Sequence, residues 1–308
     1  MNKNSKIYIA GHKGLVGNGI LKKLIELGYS NLVVRSHIEL DLQNREKVFS
    51  FFEQEKLEYV FLAAAKVGGI QANKNYPVEF LYNNLEIQNN VIMAAYKSKV
   101  KKLMFLGSNC VYPEIVFQPI KEEYLLTGKL ETTNEAYSLA KIAGLKLCEY
   151  FRKQYGCNFT SVMLANIYGP NANFDLGTSH VISGLIRRFH EAKINQKEEV
   201  VIWGSGKIKR EFMYIDDLSD ALVFLMNNYS EDKFINIGTG IDIEINELAK
   251  IIKEIVGYKG KIVNDLSKPD GTPRKLLDVS RLKATGWKYK IELKEGIEKT
   301  YKWYLKSI

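Results

Sequence analysis

The sequence predicts an α/β protein: a doubly wound parallel sheet with a smaller α/β substrate-binding domain. Three observations carry this reading. Short apolar runs alternate with helical patterns through the first half, a glycine-rich turn follows the first run, and the alternation breaks after Gly169 and Pro170. Apolar strands separated by helices give a parallel sheet covered on both faces.

In chain order, residues 6–10 (KIYIA) read as a strand and 15–27 as a helix. Residues 31–34 are strand-like, and 44–55 are helical, with Val48, Phe51 and Phe52 on one face. The runs 59–64 (YVFLAA), 102–106 (KLMFL) and 159–164 are further strands, separated by helical patterns over 78–96 and 136–155. Beyond the break come a helix near 180–192, the strand VVIW ending at Trp203, a helix over 216–227 and the strand FINI at 234–237. The tail adds helices near 246–256 and 295–306 with a short strand at 261–263. The expected division is a nucleotide domain over 1–167 with about 212–240, and a substrate domain over 168–211 and 241–308. There is no internal repeat or low-complexity linker.

Composition narrows the function classes. With 46% hydrophobic residues over 308 positions, the chain can bury one large core or two sharing a cleft. No run approaches the roughly 20 apolar residues of a membrane span. The opening MNKNSK leads straight into a strand, so no secretory signal is expected. Cys110, Cys148 and Cys157 show neither CxxC nor metal-ligand spacing, which argues against disulfides and zinc and for a reduced, cytoplasmic protein. The formal charge of +9 comes from lysines spread along the chain, without the dense basic tract interleaved with aromatics that nucleic acid would require.

Gly11, Gly14 and Gly17 sit between the first strand and first helix, where a phosphate-binding turn belongs. Their GxxGxxG spacing resembles the short-chain dehydrogenases, so the sheet is expected to be Rossmann-type. The intervening Lys13, Leu15 and Val16, and Ala63, Ala64 and Ala65 after the third strand, are expected to line the dinucleotide. The second strand ends in Val34, Arg35, Ser36 and His37 with no immediate carboxylate to hold a ribose 2′-hydroxyl. Arg35 and Lys13 suit a 2′-phosphate instead, which favours NADP(H), with His37 nearby. Asp41 and Leu42 are placed to meet the adenine.

Tyr137 and Lys141 stand at i and i+4 on one helix face, and Ser108 ends the preceding strand. A neighbouring cation favours phenolate, so a lowered Tyr137 pKa is expected. Serine there can hydrogen-bond the substrate oxygen beside the phenol.

The segments IAGHKGLVG (9–17), LAAAKVGGI (62–70), FLGSNCVYP (105–113), NEAYSLAKIAGLKLCE (134–149), NIYGP (166–170), SHVISGLIRRFHEA (179–192), WGSGKIKREFMYIDD (203–217) and KPDGTPRKLLDV (268–279) resemble the GDP-L-fucose synthases. These are NADP-dependent GDP-4-keto-6-deoxy-D-mannose 3,5-epimerase–4-reductases. The resemblance runs from first strand to last helix. It implies a homodimer packed through the two long helices, a Ser108, Tyr137 and Lys141 reductase triad, and Cys110 and His180 as the epimerising acid and base, His180 also bordering the cofactor. Taken alone, Cys110 reads equally as buried filler and His180 as a cap. Arg188, Trp203, Arg210 and Lys275 match positions near the nucleotide diphosphate and sugar, and Asn166 would line the sugar pocket. Arg187 is an equal candidate to Arg188, since only one faces inward.

The chain departs from the family at His37 and Lys13, where arginine is frequent, and at Asn109, which replaces a small hydroxyl residue beside Ser108. Asn109 could retune substrate size toward a heptose or favour reduction alone. Two other readings compete. A UDP-sugar 4-epimerase would keep tightly bound NAD, against which the cationic 2′-phosphate site argues. A non-catalytic dinucleotide sensor would not need Ser, Tyr and Lys together.

Overall fold

The structure is a computed structural model and describes residues 1–308 apart from Pro269, which lies within the KPDGTPRKLLDV segment. The first half runs β1 (Ile7–Ala10), α1 (Leu15–Glu26), β2 (Leu32–Val33), α2 (Arg45–Glu55), β3 (Tyr59–Leu62), α3 (Ile70–Asn75), α4 (Pro77–Lys97), β4 (Lys102–Ser108), α5 (Glu135–Tyr155) and β5 (Phe159–Leu164). Then come β6 (Asn166–Tyr168), α6 (Val181–Ile194), β7 (Glu199–Trp203), β8 (Lys209–Tyr214), α7 (Ile215–Asn228) and β9 (Ile235–Ile237). The tail holds β10 (Asp242–Glu244), α8 (Ile245–Val256), β11 (Lys261–Asp265), β12 (Arg274–Lys275), α9 (Ser280–Ala284) and α10 (Leu293–Ser307).

Six strands form one parallel sheet in the order β2-β1-β3-β4-β5-β9. Every residue of β1, β5 and β9 is buried, and successive side chains alternate faces, so the sheet is covered on both sides. One group of packed helices is α1 with α7; the other is α2, α4 and α5. The winding reverses at β1, which has β2 on one side and β3 on the other. Open α/β sheets bind ligands at such a reversal, beyond the carboxyl ends of the strands.

The second sheet is built on β8. It pairs β6 and β12 in parallel and β10 antiparallel, while β7 and β11 form a separate parallel pair. Strands β10 and β12 are too short and polar to give an apolar run, and β8 opens on the charged Lys209, Arg210 and Glu211 before its short apolar stretch Phe212–Tyr214. Pairing, not hydrophobic pattern, makes them strands. The expected domain boundaries at 167/168 and 211/212 fall inside β6 and β8, which hydrogen-bond each other from Asn166↔Phe212 to Tyr168↔Tyr214. Core residues of the large sheet and of α6, α8 and α10 belong to one contiguous cluster.

Lys102 opens β4 almost fully buried, at 3% exposure. Its ammonium donates to the Leu225 and Met226 carbonyls at 2.8 and 2.7 Å and to Tyr229 O, closing the C-terminal end of α7. A cation there also meets the negative end of the helix dipole. Burial lowers its pKa to about 8. Lys102→Met keeps the stem but strands these carbonyls, so an unfolding-stability loss of about 2–4 kcal/mol is expected by denaturant titration. Between pH 8 and the unfolded lysine value near ~10.4, the unfolded chain binds the extra proton, so this group's contribution to stability rises with pH. The gap between wild type and variant should therefore widen from pH 8 to 10; a constant gap would mean the ammonium is not desolvated.

Candidate active site

The glycine turn sits at the reversal point and is built by close approach. Gly11 has φ +85°, and a Cβ there would lie 2.7 Å from Ala64 N and 3.0 Å from the Ala63 carbonyl carbon. A Cβ on Gly17 would lie 2.2 Å from Gly11 O, so α1 seats directly on the turn. Gly14 caps α1 without a side-chain hydrogen bond, and the first turn carries no acidic residue. The leading N–H groups, of Leu15, Val16 and Gly17, have no helical acceptor and attract an anion. Ala63, Ala64 and Ala65 leave β3 half-buried along this edge.

The ribose end differs from expectation. Arg35 is committed to protein: it meets Glu55 Oε1 at 2.6 Å, donates to Val34 O at 2.8 Å, and lies 5.2 Å from the Phe51 ring centroid. A carboxylate does stand by, because Glu39 accepts from Ser36 N and Ser36 Oγ at 2.7 and 2.6 Å. It was missed because it reaches the strand end through a turn rather than lying next to Arg35 in sequence. His37 is exposed, its Nδ1 3.7 Å from Asp41 Oδ1, and Asp41 also accepts from Gln43 N at 3.0 Å. The Leu42 side chain is buried in the core.

At the other end of the cleft, β4 and α5 converge. Ser108 finishes β4, and its Oγ accepts from Cys110 N at 3.4 Å in a one-turn helix over Asn109–Val111. Ser138, one residue past Tyr137, donates to Cys110 O at 3.0 Å and so clamps α5 to that turn. Sequence reading missed this clamp. Tyr137 is walled by Phe80, edge to face at 6.3 Å. The Asn109–Val111 turn packs on α5, which brings Cys110 to the end of that helix that carries Tyr137. Asn109 is buried, its Nδ2 sealed from solvent and without a hydrogen-bond partner.

The expected activation of Tyr137 by Lys141 is absent from this arrangement. Lys141 Nζ donates to Leu106 O at 2.9 Å and lies over the Phe105 ring at 4.8 Å. Burial lowers its pKa to about 8. Burial also raises the phenol of Tyr137, reinforced by Cys110, because desolvation outweighs an ammonium turned toward a carbonyl.

His180 enters from the far side as the N-cap of α6. The loop after β3 holds this segment through Gly69 N to Thr178 O at 3.3 Å. His180 is open to the cleft, yet surrounding protein lowers its pKa by desolvation. No hydrogen bond or ion pair among the described residues joins its ring to Cys110 or Tyr137. Arg210 and Lys275 are register partners across β8 and β12, both half-buried with pKa values lowered by burial. Arg188 lies 5.4 Å from the exposed Trp203 ring, whereas Arg187 is tied to Glu191 at 2.6 Å and Phe174 O at 3.2 Å. Asn166 donates to Glu211 O at 2.8 Å.

The sequence profile of the NAD dependent epimerase/dehydratase family matches residues 7–238. The chain is 55% identical to Putative GDP-L-fucose synthase 2 of Arabidopsis thaliana, over 100% of this chain and 94% of that protein. It is 49% identical to GDP-L-fucose synthase of Escherichia coli K12, over 98% and 97%. The chain belongs to the NAD dependent epimerase/dehydratase family, among its GDP-L-fucose synthases. It also superimposes on MlghC, the GDP-mannoheptose C4 reductase of Campylobacter jejuni solved with NADP bound, at TM-score 0.92, 45% identity and 99% coverage of both chains.

In this epimerase/dehydratase-family chain, Glu211 was a further omission. It is fully buried and accepts from Gly240 N at 2.7 Å and Leu277 N at 2.9 Å. These bonds pin β8 to the stretch following β12, holding the Arg210–Lys275 pair in register. Desolvation raises its pKa to about 7. Its position after Lys209 and Arg210 in the sequence gave no signal of that role.

The burial of Lys141 has a direct readout. Lysine side-chain NMR against pH should show an amine titrating near 8 that vanishes in Lys141→Met, separate from the Lys102 signal. Titration in the ordinary lysine range would mean that Nζ is solvated.

Proposed function

We propose that this protein converts GDP-4-keto-6-deoxy-D-mannose to GDP-L-fucose by C3 and C5 epimerisation and NADPH-dependent C4 reduction. The observation that carries the reading is the grouping of Ser108, Cys110, Tyr137 and Lys141 at the meeting of β4 and α5, with Lys275 and Arg210 beside them. The residues present fit a dinucleotide: the Gly11 and Gly17 approach and the uncapped start of α1 suit a pyrophosphate. Gly14, Leu15, Val16 and the Ala63–65 edge would border it, Lys13 and Arg35 would face a 2′-phosphate, and Lys141 would hold the nicotinamide ribose. When bound, NADPH supplies the hydride for C4.

The rest is done by side chains. Tyr137, kept protonated by its raised pKa, is in the right state to protonate the C4 oxygen, which Ser108 orients. The C4 ketone acidifies the C3 and C5 hydrogens. Cys110 and His180 exchange those protons, desolvation favouring the neutral imidazole that can accept one. Arg210 and Lys275 hold the diphosphate, Arg188 and Trp203 flank the nucleotide sugar, and Asn166 borders the sugar pocket. In this reading the six-stranded sheet serves the cofactor, and the sheet built on β8 with α6, α8 and α10 serves the sugar nucleotide. A homodimer through α4 and α5 is part of the proposal, supported by exposed Val78, Tyr82, Leu139 and Tyr150 on those helices. So is a reducing, cytoplasmic setting, which suits three free cysteines.

Tyr137→Phe keeps the ring and removes the proton. Ketone reduction should fall on the order of 10²–10⁴-fold while NADPH binding persists. Near-wild-type turnover would assign the phenol a structural role.

Epimerisation is testable without NADPH. In heavy water, NMR should show exchange at C3 and C5 of the 4-keto sugar, largely lost in Cys110→Ser and stalled at an earlier stage in His180→Asn. Failure of the wild-type protein to exchange either hydrogen would favour a GDP-6-deoxy-4-keto-sugar C4 reductase acting on a hexose or a heptose, a second reading that the likeness to the heptose reductase supports.

A further inference from the structure

The turn after β2 holds a charge arrangement that the cofactor reading does not use. Ser36 and Glu39 form a reciprocal box: Ser36 N and Oγ donate to Glu39 Oε2 at 2.7 and 2.6 Å, and Glu39 N reaches back to Ser36 Oγ at 3.4 Å. The carboxylate is exposed and stands in the field of Arg35 and Lys13. The Ser36 donors, and after them these two cations, hold its carboxyl below the usual range. Arg35 is itself paired with Glu55, which Lys6 also meets at 2.7 Å. A groove of about 430 Å³, lined in part by Arg35, Glu39, Leu40, Phe51 and Glu55, opens beside this cluster.

The charges matter more than the turn. A 2′-phosphate carries up to two negative charges and binds best where cations are in surplus and N–H or O–H donors are free. Here Arg35 is paired with Glu55, the Glu39 carboxylate stands in the field of Arg35 and Lys13, and the Ser36 donors are already taken. A carboxylate on paired donors at the end of β2 is also the feature that accepts a ribose 2′-hydroxyl in NAD sites.

We propose that Glu39 is a cofactor-discriminating residue: its carboxylate occupies the Ser36 donors beside Arg35 and Lys13, competes there with the 2′-phosphate of NADP(H), and so narrows the preference over NAD(H). The inference rests on the dinucleotide reading of the glycine turn. Glu39→Gln removes the charge while keeping an oxygen that accepts from Ser36, so the turn is retained. Glu39→Ala removes both.

The test is binding rather than turnover. Dissociation constants for NADP⁺, NAD⁺, adenosine 2′,5′-bisphosphate and adenosine 5′-monophosphate are measured by calorimetry on wild-type protein and both variants, with melting temperatures in parallel. Glu39→Gln should tighten the two 2′-phosphorylated ligands about tenfold, the scale of one charge-assisted contact, and leave the others within about twofold. Glu39→Ala should move the ratio the same way even where it lowers the melting temperature. Unchanged ratios, or equal changes for both ligand types, would overturn the proposal and leave Glu39 as a turn cap. Should NAD⁺ and adenosine monophosphate bind but the 2′-phosphorylated ligands fail to bind any of the three proteins, Glu39 is not what limits them and the proposal falls alone. Absence of all binding would overturn it together with the dinucleotide reading.

Discussion

The seat of Gly11 against Ala63 and Ala64, with Gly17 pressed onto Gly11 O, is the constraint on which the site depends. It leaves no volume for a side chain at either glycine. Because the turn is this tight, α1 begins at once beyond β1 and aims its unpaired N–H groups over the reversal point of the sheet. A looser turn would displace α1 from α7, with which it packs, and open the edge along which β3 delivers its alanines.

The opposite wall depends on buried polar groups with assigned partners. Ser138 ties α5 to Cys110, Glu211 ties β8 to the residues after β12, and the Tyr112 hydroxyl donates to Asn236 at 2.5 Å beneath the turn. Each bond joins segments far apart in sequence. Together they bring a thiol, a phenol and several cations to one cleft, where burial governs protonation more than pairing does. The Tyr137 phenol is raised and the Lys141 and Lys275 ammonium groups are lowered by the same cause. The desolvation that keeps Tyr137 protonated is thus the desolvation that lowers the Lys141 ammonium.

The excess of basic residues is unevenly used. The formal charge of +9 is spread along the chain; Arg210 and Lys275 stand in register across β8 and β12, and Arg188 lies over Trp203. After β2, by contrast, Arg35 and Lys6 both meet Glu55, and Glu39 is held by Ser36.

The sequence by itself determined the large sheet, because each of its strands is an apolar run between amphipathic helices and the period of such runs is a local property. It also determined the glycine turn and the Tyr137 and Lys141 spacing, which are encoded within a few consecutive residues. The tertiary structure alone decided the sheet built on β8, whose strands are short or open on charged residues and are fixed by pairing. It decided that Arg188 rather than Arg187 meets Trp203, since helix rotation depends on what α6 packs against. It also decided the direction of the Tyr137 pKa: i and i+4 spacing brings two side chains near, but burial and the Leu106 carbonyl set where the Lys141 ammonium points. Proximity is written along the chain, whereas solvation and orientation are properties of everything folded around it.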